Sequence, residues 1–242
     1  MKVKTNGIFL KSQKYTEDKL ICTVFTHDFG KISFLVQGVG SVRKKAITAL
    51  FQPLFLLNFE VNYKPSRDLQ SIGAVSPLFI YTSIPYNIAK STVILFLAEI
   101  LFKILHDNEK NDALYLFTET SLRYFDAIES DYQNFHLQFL LQLLKYTGFY
   151  PENNFSDIST WFDMQKGRFT QEKPAHKNYI DYPHSYYFQQ FLNDGFSYSS
   201  TVQVNGNTRN ALLHKIVDYY FLHYGQLTEI KSLLVLQSVF HN

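Results

Sequence analysis

The first 80 residues alternate apolar and polar side chains with a period of two, and no helical repeat occurs before residue 85. Between Lys31 and Gln37, Ile32, Phe34 and Val36 fall on one face. Between Pro53 and Tyr63, Phe55, Leu57, Phe59, Val61 and Tyr63 share one face, and Asn58, Glu60 and Asn62 share the other. A strand turns successive side chains to opposite sides, so this is the signature of strands buried on one face. Turn-forming clusters at 6–7, 27–31, 38–40 and 64–68 separate the runs. The pattern predicts five strands near 2–12, 18–27, 30–38, 52–63 and 67–79. Short strands leave unpaired edges unless the sheet closes, so a small five-stranded barrel is expected.

The period changes after Pro85. Residues 87–105, 111–128 and 131–148 read as three helices, each beginning near Asn or Asp, whose side chains cap orphan amides. Gly148 with Pro151 just beyond marks the end of the third. A β-hairpin is predicted across Met164–Gly167, followed by a loop, and two further helices at 207–225 and 228–240. In the first of these, Leu212, Leu213, Ile216, Val217, Tyr220, Phe221 and Tyr224 form one apolar stripe. The expected fold class is therefore β + α: a barrel domain over 1–82, then a mostly helical domain over 83–242 with a small β insert at about 150–180.

Hydrophobic residues make up 46% and charged residues 18%, which favours a packed core over disorder. The single cysteine, Cys22, excludes an intrachain disulfide and a cysteine zinc site, and points to a reducing, cytoplasmic setting. No secretory leader is expected at the N-terminus. The most apolar run, Val93–Leu105, has 13 residues and contains Glu99 and Lys103, short of the ~20 that span a bilayer. The phosphate-loop, dinucleotide, zinc-protease and nucleophile-elbow motifs are missing. The histidines show no metal-ligand spacing. A non-enzymatic protein without metal or cofactor is expected.

Charge is uneven. Residues 1–82 carry a net +6 and residues 83–242 a net −4, so the head is suited to an anionic partner. Its cations Lys11, Lys14, Lys31, Arg43, Lys44, Lys45, Lys64 and Arg67 are interleaved with aromatics such as Tyr15 and Tyr63. Cations neutralise phosphates, and aromatic faces stack bases without reading sequence. The segment 38–48 has two readings, a basic finger hinged at Gly38 and Gly40 or a solvated turn. Phe34, Phe55 and Phe59 are read as core, and Arg43–Lys45 as a phosphate contact.

The ordered series Gly7-Ile8, Tyr15, Glu17, Leu20, Thr26, Phe29-Gly30-Lys31, Gly38, the basic loop and Gln52-Pro53 resembles the N-terminal domain of the RecO family of bacterial recombination mediators. Ala98-Glu99, Leu116-Phe117, the run 135–151 and residues 209–236 resemble its helical part. The resemblance implies an oligonucleotide-binding (OB) barrel that binds single- and double-stranded DNA (ssDNA and dsDNA), anneals strands and, with RecR, helps load RecA on DNA coated with SSB. It also implies recognition of the acidic, apolar-ended SSB C-terminal tail, which needs an apolar pocket with a cationic rim. Arg123, Lys145, Arg209 and Lys215 are candidates for that rim. RecO proteins commonly carry a four-cysteine zinc site where this chain, at 152–180, has no cysteine. No zinc is expected here, with Trp161, Phe162, Phe169 and Tyr179 packing in its place. Two other readings stay open: a protein-interaction scaffold without direct DNA contact, and a hydrolase or nuclease, for which the head shows no carboxylate cluster.

Overall fold

Five strands close on themselves in the order β1-β2-β3-β5-β4. They are β1 (Lys2–Thr16), β2 (Lys19–Thr26), β3 (Gly30–Gln37), β4 (Leu56–Asn62) and β5 (Leu69–Pro77). The structure is a computed structural model and describes residues 2–37, 47–194, 202–225, 227 and 229–240. Four pairings are antiparallel; the fifth, β3 with β5, is parallel and runs only from Ser33–Leu69 to Leu35–Ser71. The predicted inward faces are the ones buried. Ile32, Phe34 and Val36 meet Leu57, Phe59 and Val61 inside, and Phe34 stacks on Phe59 at 5.5 Å. Phe55 is only partly buried at the margin of this core. Cys22 also lies inside, where burial pushes its thiol up to about 12.

Two glycines are dictated by close approach. A Cβ on Gly7 would sit 2.5 Å from Val24 Cγ1 and 2.9 Å from the Phe59 ring. Gly30, at φ +68°, faces the Glu109 backbone, which leaves no room for any side chain. β1 extends four residues beyond its expected end. Register shifts between Phe9 and Lys11 and between Lys14 and Thr16 break the strict alternation there, so the period-two signal fades while the ladder continues.

The chain divides into two compact units, Met1–Ala127 with Ile230–Leu236, and Ile128–Glu229 with the last residues. In the first, α1 (Ile88–Ile104) and α2 (Asp112–Ala127) accompany the barrel. The Asn87 side chain caps α1 by accepting from the N–H groups of Ala89 and Lys90, and Asn111 accepts from Leu114 N–H ahead of α2. Asp126, almost fully buried, ties the strand-to-helix connection: its carboxylate accepts the N–H groups of Thr82, Ser83 and Ile84 at 2.8–2.9 Å. The buried Lys90 ammonium donates to Ser83 Oγ and to the Asp126 carbonyl. The start of α6 (Ser232–Phe240) is held by Glu99, which accepts from Ser232 N–H, Ser232 Oγ–H and Lys231 N–H.

The second unit contains α3 (Phe135–Thr147), α4 (His184–Asp194), α5 (Gly206–His223) and a three-stranded sheet in the order β7-β6-β8. Its strands are β6 (Trp161–Asp163), β7 (Arg168–Thr170) and β8 (Tyr179–Ile180). All of Phe135–Leu144 is buried, so α3 is enclosed on every side. Gly148 ends it at φ +82°, as its position predicts. The β6–β7 hairpin forms across Met164–Gly167, where the Asp163 carboxylate accepts from Gln165 and Lys166 N–H. Two elements differ from expectation. β8 joins the hairpin as a third strand, and α4 occupies a segment with no predicted element. Phe188, Phe191 and Leu192 do recur there at helical spacing, but the run is rich in Tyr, Phe, Asn and Gln and poor in strong helix formers. Among the described residues no helix is long and apolar enough to cross a membrane.

Burial pushes the Asp126 carboxyl up, but the N–H groups of Thr82, Ile84 and Ser83 outweigh it and hold it below its ordinary value. Asp126→Ala should therefore cost about 3 kcal/mol in urea unfolding, because it orphans buried donors. The Asp126 contribution should be complete above the usual aspartate value of about 4 and should disappear as pH falls through the lowered folded value. Equal acid sensitivity in the wild-type and Asp126→Ala proteins would contradict this.

Candidate nucleic-acid interface

In barrels of this topology, ligands lie across the β2–β3 face between the β1–β2 and β4–β5 loops. The outer side of β2 and β3 carries Ile21, Thr23, Lys31 and Ser33, and Thr23 Oγ1 lies 3.2 Å from Ser33 Oγ. With Lys11 and Gln13 of β1 they line an open polar cleft that also reaches Phe102 and Asp107. The β4–β5 loop carries Lys64 and Arg67. Gln70, a buried side chain, fastens that loop: it accepts from Lys64 N–H at 2.8 Å and donates to the carbonyls of Lys64 and Arg67. Tyr63 stacks on Phe29 at 4.1 Å, which sets the loop beside the β2–β3 turn.

The expected cations fare differently. Lys14, Lys64 and Arg67 are exposed, and no acidic side chain lies within 4.0 Å of any of them among the described residues. Lys11 is exposed, with its ammonium 4.9 Å from the Phe102 ring centroid. Lys31 is committed inside its own unit: its side chain is 12% exposed, pairs with Asp107 at 3.1 Å and donates to the Phe102 carbonyl. Its backbone carbonyl accepts from Asn108 N–H, so residues 107–109 cover the beginning of β3. Arg43, Lys44 and Lys45 lie outside the described residues. β3 ends at Gln37, opposite Lys19 beside the β1–β2 turn, which is where the basic segment departs.

Each of the four expected rim cations makes a contact within its own unit. Arg123, in the first unit, pairs with Glu119 at 2.7 Å and stacks over Phe79. In the second unit, Arg209 donates to Asn134 Oδ1 and the Val204 carbonyl, Lys145 lies over Tyr150, and Lys215 lies over Tyr179. An apolar hollow of about 500 Å³ instead opens in the first unit, floored by Leu10, Leu95, Ala98, Phe102 and Val235. Its rim holds Lys11, Lys103 and Lys231. The one acid there among the described residues, Glu99, pairs with Lys103 at 3.4 Å and caps α6. Sequence reasoning missed this rim because Lys231 is distant in sequence and Lys103 reads as the polar face of a buried helix.

The residues at 152–180 do not fit a four-thiolate metal site. Cys22 is the chain's only cysteine, and no group of three His, Cys, Asp or Glu side chains suited to a metal ion occurs among the described residues. Asp163 and His176, 3.2 Å apart, make only a pair. Phe162 and Phe169 do pack inward, against Phe188 and each other, and the Asn154 amide brackets the Phe169 backbone from both sides. Trp161 and Tyr179 belong to the opposite face.

A closed five-stranded barrel in this strand order, followed by a helical portion, places the chain among the OB-barrel proteins. Comparison with known proteins gives the particular family. Residues 1–81 match the model for "Recombination protein O N terminal" and residues 85–234 that for "Recombination protein O C terminal". The DNA repair protein RecO of Azobacteroides pseudotrichonymphae is 32% identical over 99% of this chain and 100% of its own length. That of Bacteroides fragilis is 33% identical over 98% of both chains, and that of Flavobacterium psychrophilum 34% identical over 99% of this chain and all of its own. The chain belongs to the RecO family of DNA repair proteins.

Because aromatic packing and the Asn154 bracket hold the β insert, prolonged chelation should leave the melting temperature unchanged, and metal analysis of purified protein should find no stoichiometric ion. A drop in melting temperature with chelator, restored by zinc, would overturn that account.

Proposed function

We propose that this RecO-family protein is a non-catalytic, cytoplasmic recombination mediator. It binds ssDNA and dsDNA without sequence preference, anneals complementary strands and, with RecR, helps load RecA onto SSB-coated DNA. The observation that carries the reading is the coincidence of family membership along the whole chain with unneutralised cations at the barrel's loops. Among the described residues, Lys14, Lys64 and Arg67 have no local acid to satisfy them, so phosphate contact costs them no existing ion pair. Arg43, Lys44 and Lys45 follow β3 in the chain and add to this charge. The lysine-rimmed hollow at Leu95 and Phe102 suits an acidic peptide with apolar side chains, and we assign the SSB tail to it.

A second reading, a scaffold that binds proteins but not DNA, is favoured by the coverage of Lys31 and the start of β3 by residues 107–109. Fluorescence anisotropy with labelled oligonucleotides across a salt series separates the two. The mediator reading expects binding at low salt that falls steeply with salt. Replacing Arg43, Lys44 and Lys45 by Ala should lower the log–log slope by roughly 0.7–0.9 for each phosphate no longer neutralised, whereas Lys31→Ala should leave it unchanged. No binding at low salt, with SSB-tail binding retained, selects the scaffold. For the tail itself, Lys231→Glu should weaken a tail peptide by roughly fivefold or more, and equal affinity would remove the hollow from consideration.

A further inference from the structure

The three-stranded sheet has two unlike faces. Register puts Phe162, Phe169 and Ile180 on one side, where they are buried, and Trp161, Asp163, Thr170 and Tyr179 on the other. Asp163 is internally satisfied by the hairpin N–H groups, His176 and Lys166. Trp161 and Tyr179 remain half-exposed, edge to face, with centroids 5.4 Å apart at 77°. Two ammonium groups converge on them. Lys173 Nζ lies 5.6 Å from the Trp161 ring centroid and 5.2 Å from that of Tyr179, and Lys215 Nζ lies 5.9 Å from that of Tyr179. Lys173 comes from the loop after β7 and Lys215 from α5, so the convergence is a product of the tertiary fold.

A purely structural cation–π contact needs only one ammonium. Here two like charges share the Tyr179 ring, and neither has an acidic side chain within 4.0 Å among the described residues. Two ammonium groups without an acidic partner leave uncompensated positive charge beside the rings, which an anion can neutralise. Half-exposed aromatic planes bordered by unneutralised cations match one ligand chemistry closely: a flat base joined to phosphates.

We propose that the outer face of this sheet is a second ssDNA contact, separate from the barrel, in which a nucleobase stacks on the Trp161–Tyr179 pair and Lys173 and Lys215 hold the adjacent phosphates. The proposal rests on the DNA-binding reading above and adds a site to it. Trp161 is the only tryptophan of the chain, so its emission reports this face directly in the intact protein. The experiment titrates the full chain with end-labelled oligothymidylate, reading label anisotropy and Trp161 emission together, and repeats it with an abasic strand of equal length. Stacking predicts saturable quenching by oligothymidylate and little by the abasic strand. Anisotropy that rises while Trp161 emission stays unchanged overturns the second site and leaves the barrel reading standing. No anisotropy change with either strand removes both.

Variants sharpen the result. Lys173→Gln with Lys215→Gln, checked for unchanged emission of the free protein, should shift the quenching midpoint to at least about fivefold higher DNA. Tyr179→Ala should weaken quenching similarly, and Tyr179→Phe should restore it. An unmoved midpoint in the double variant sinks the proposal. So does quenching by an acidic peptide but not by DNA, which would make the face a protein-docking surface.

Discussion

The barrel depends on a short parallel seam. β3 and β5 meet over three residue pairs, and without them the sheet would have two open edges. The central pair joins Phe34, whose ring lies in the core, to Gln70, whose amide is almost fully buried. That amide makes three hydrogen bonds to the loop carrying Lys64 and Arg67. One residue thus sits in the seam that closes the fold and orders the backbone that presents two cations. An unsatisfied buried amide costs about 1–3 kcal/mol, so the loop conformation is coupled to closure rather than appended to it.

Much of this was legible in residue order. Period-two alternation gave the five strands, and for β3 and β4 the inward faces as well, because a half-buried strand has few other ways to be written. Asn87 and Gly148 marked a helix start and stop through local chemistry. Local signals failed where tertiary context decided. α4 is aromatic and polar, and it is stabilised by Phe188 packing on Phe162 rather than by helix propensity. β8 is two residues long and exists only because β6 offers an edge.

Site residues were harder to read for the same reason. A lysine's availability depends on what else in the fold claims it. Lys31 and Asp107 are 76 positions apart, and no motif announces their pairing. Arg209 looks like a surface cation on a helix, yet it is half-buried and spends its guanidinium on Asn134 and Val204. Lys14 and Arg67 differ from these in having no such claimant among the described residues. Unneutralised charge, not charge as such, separates candidates from structural cations.

The same accounting distinguishes the two places where a pair of lysines surrounds aromatic rings. At Phe102, Lys11 and Lys31 both approach the ring, but Asp107 neutralises one of them and residues 107–109 close over the start of β3. There Lys31 serves packing, while Lys11 keeps its charge at the rim of the hollow. At Trp161 and Tyr179, Lys173 and Lys215 approach without a neutralising acid among the described residues, and the rings stay half-exposed. Holding the ammonium groups near the rings in advance reduces the ordering cost when phosphate arrives, and the rings offer stacking area already facing outward. A lysine beside an aromatic ring is therefore a packing contact where a carboxylate claims it, as with Lys31, and a poised one where none does.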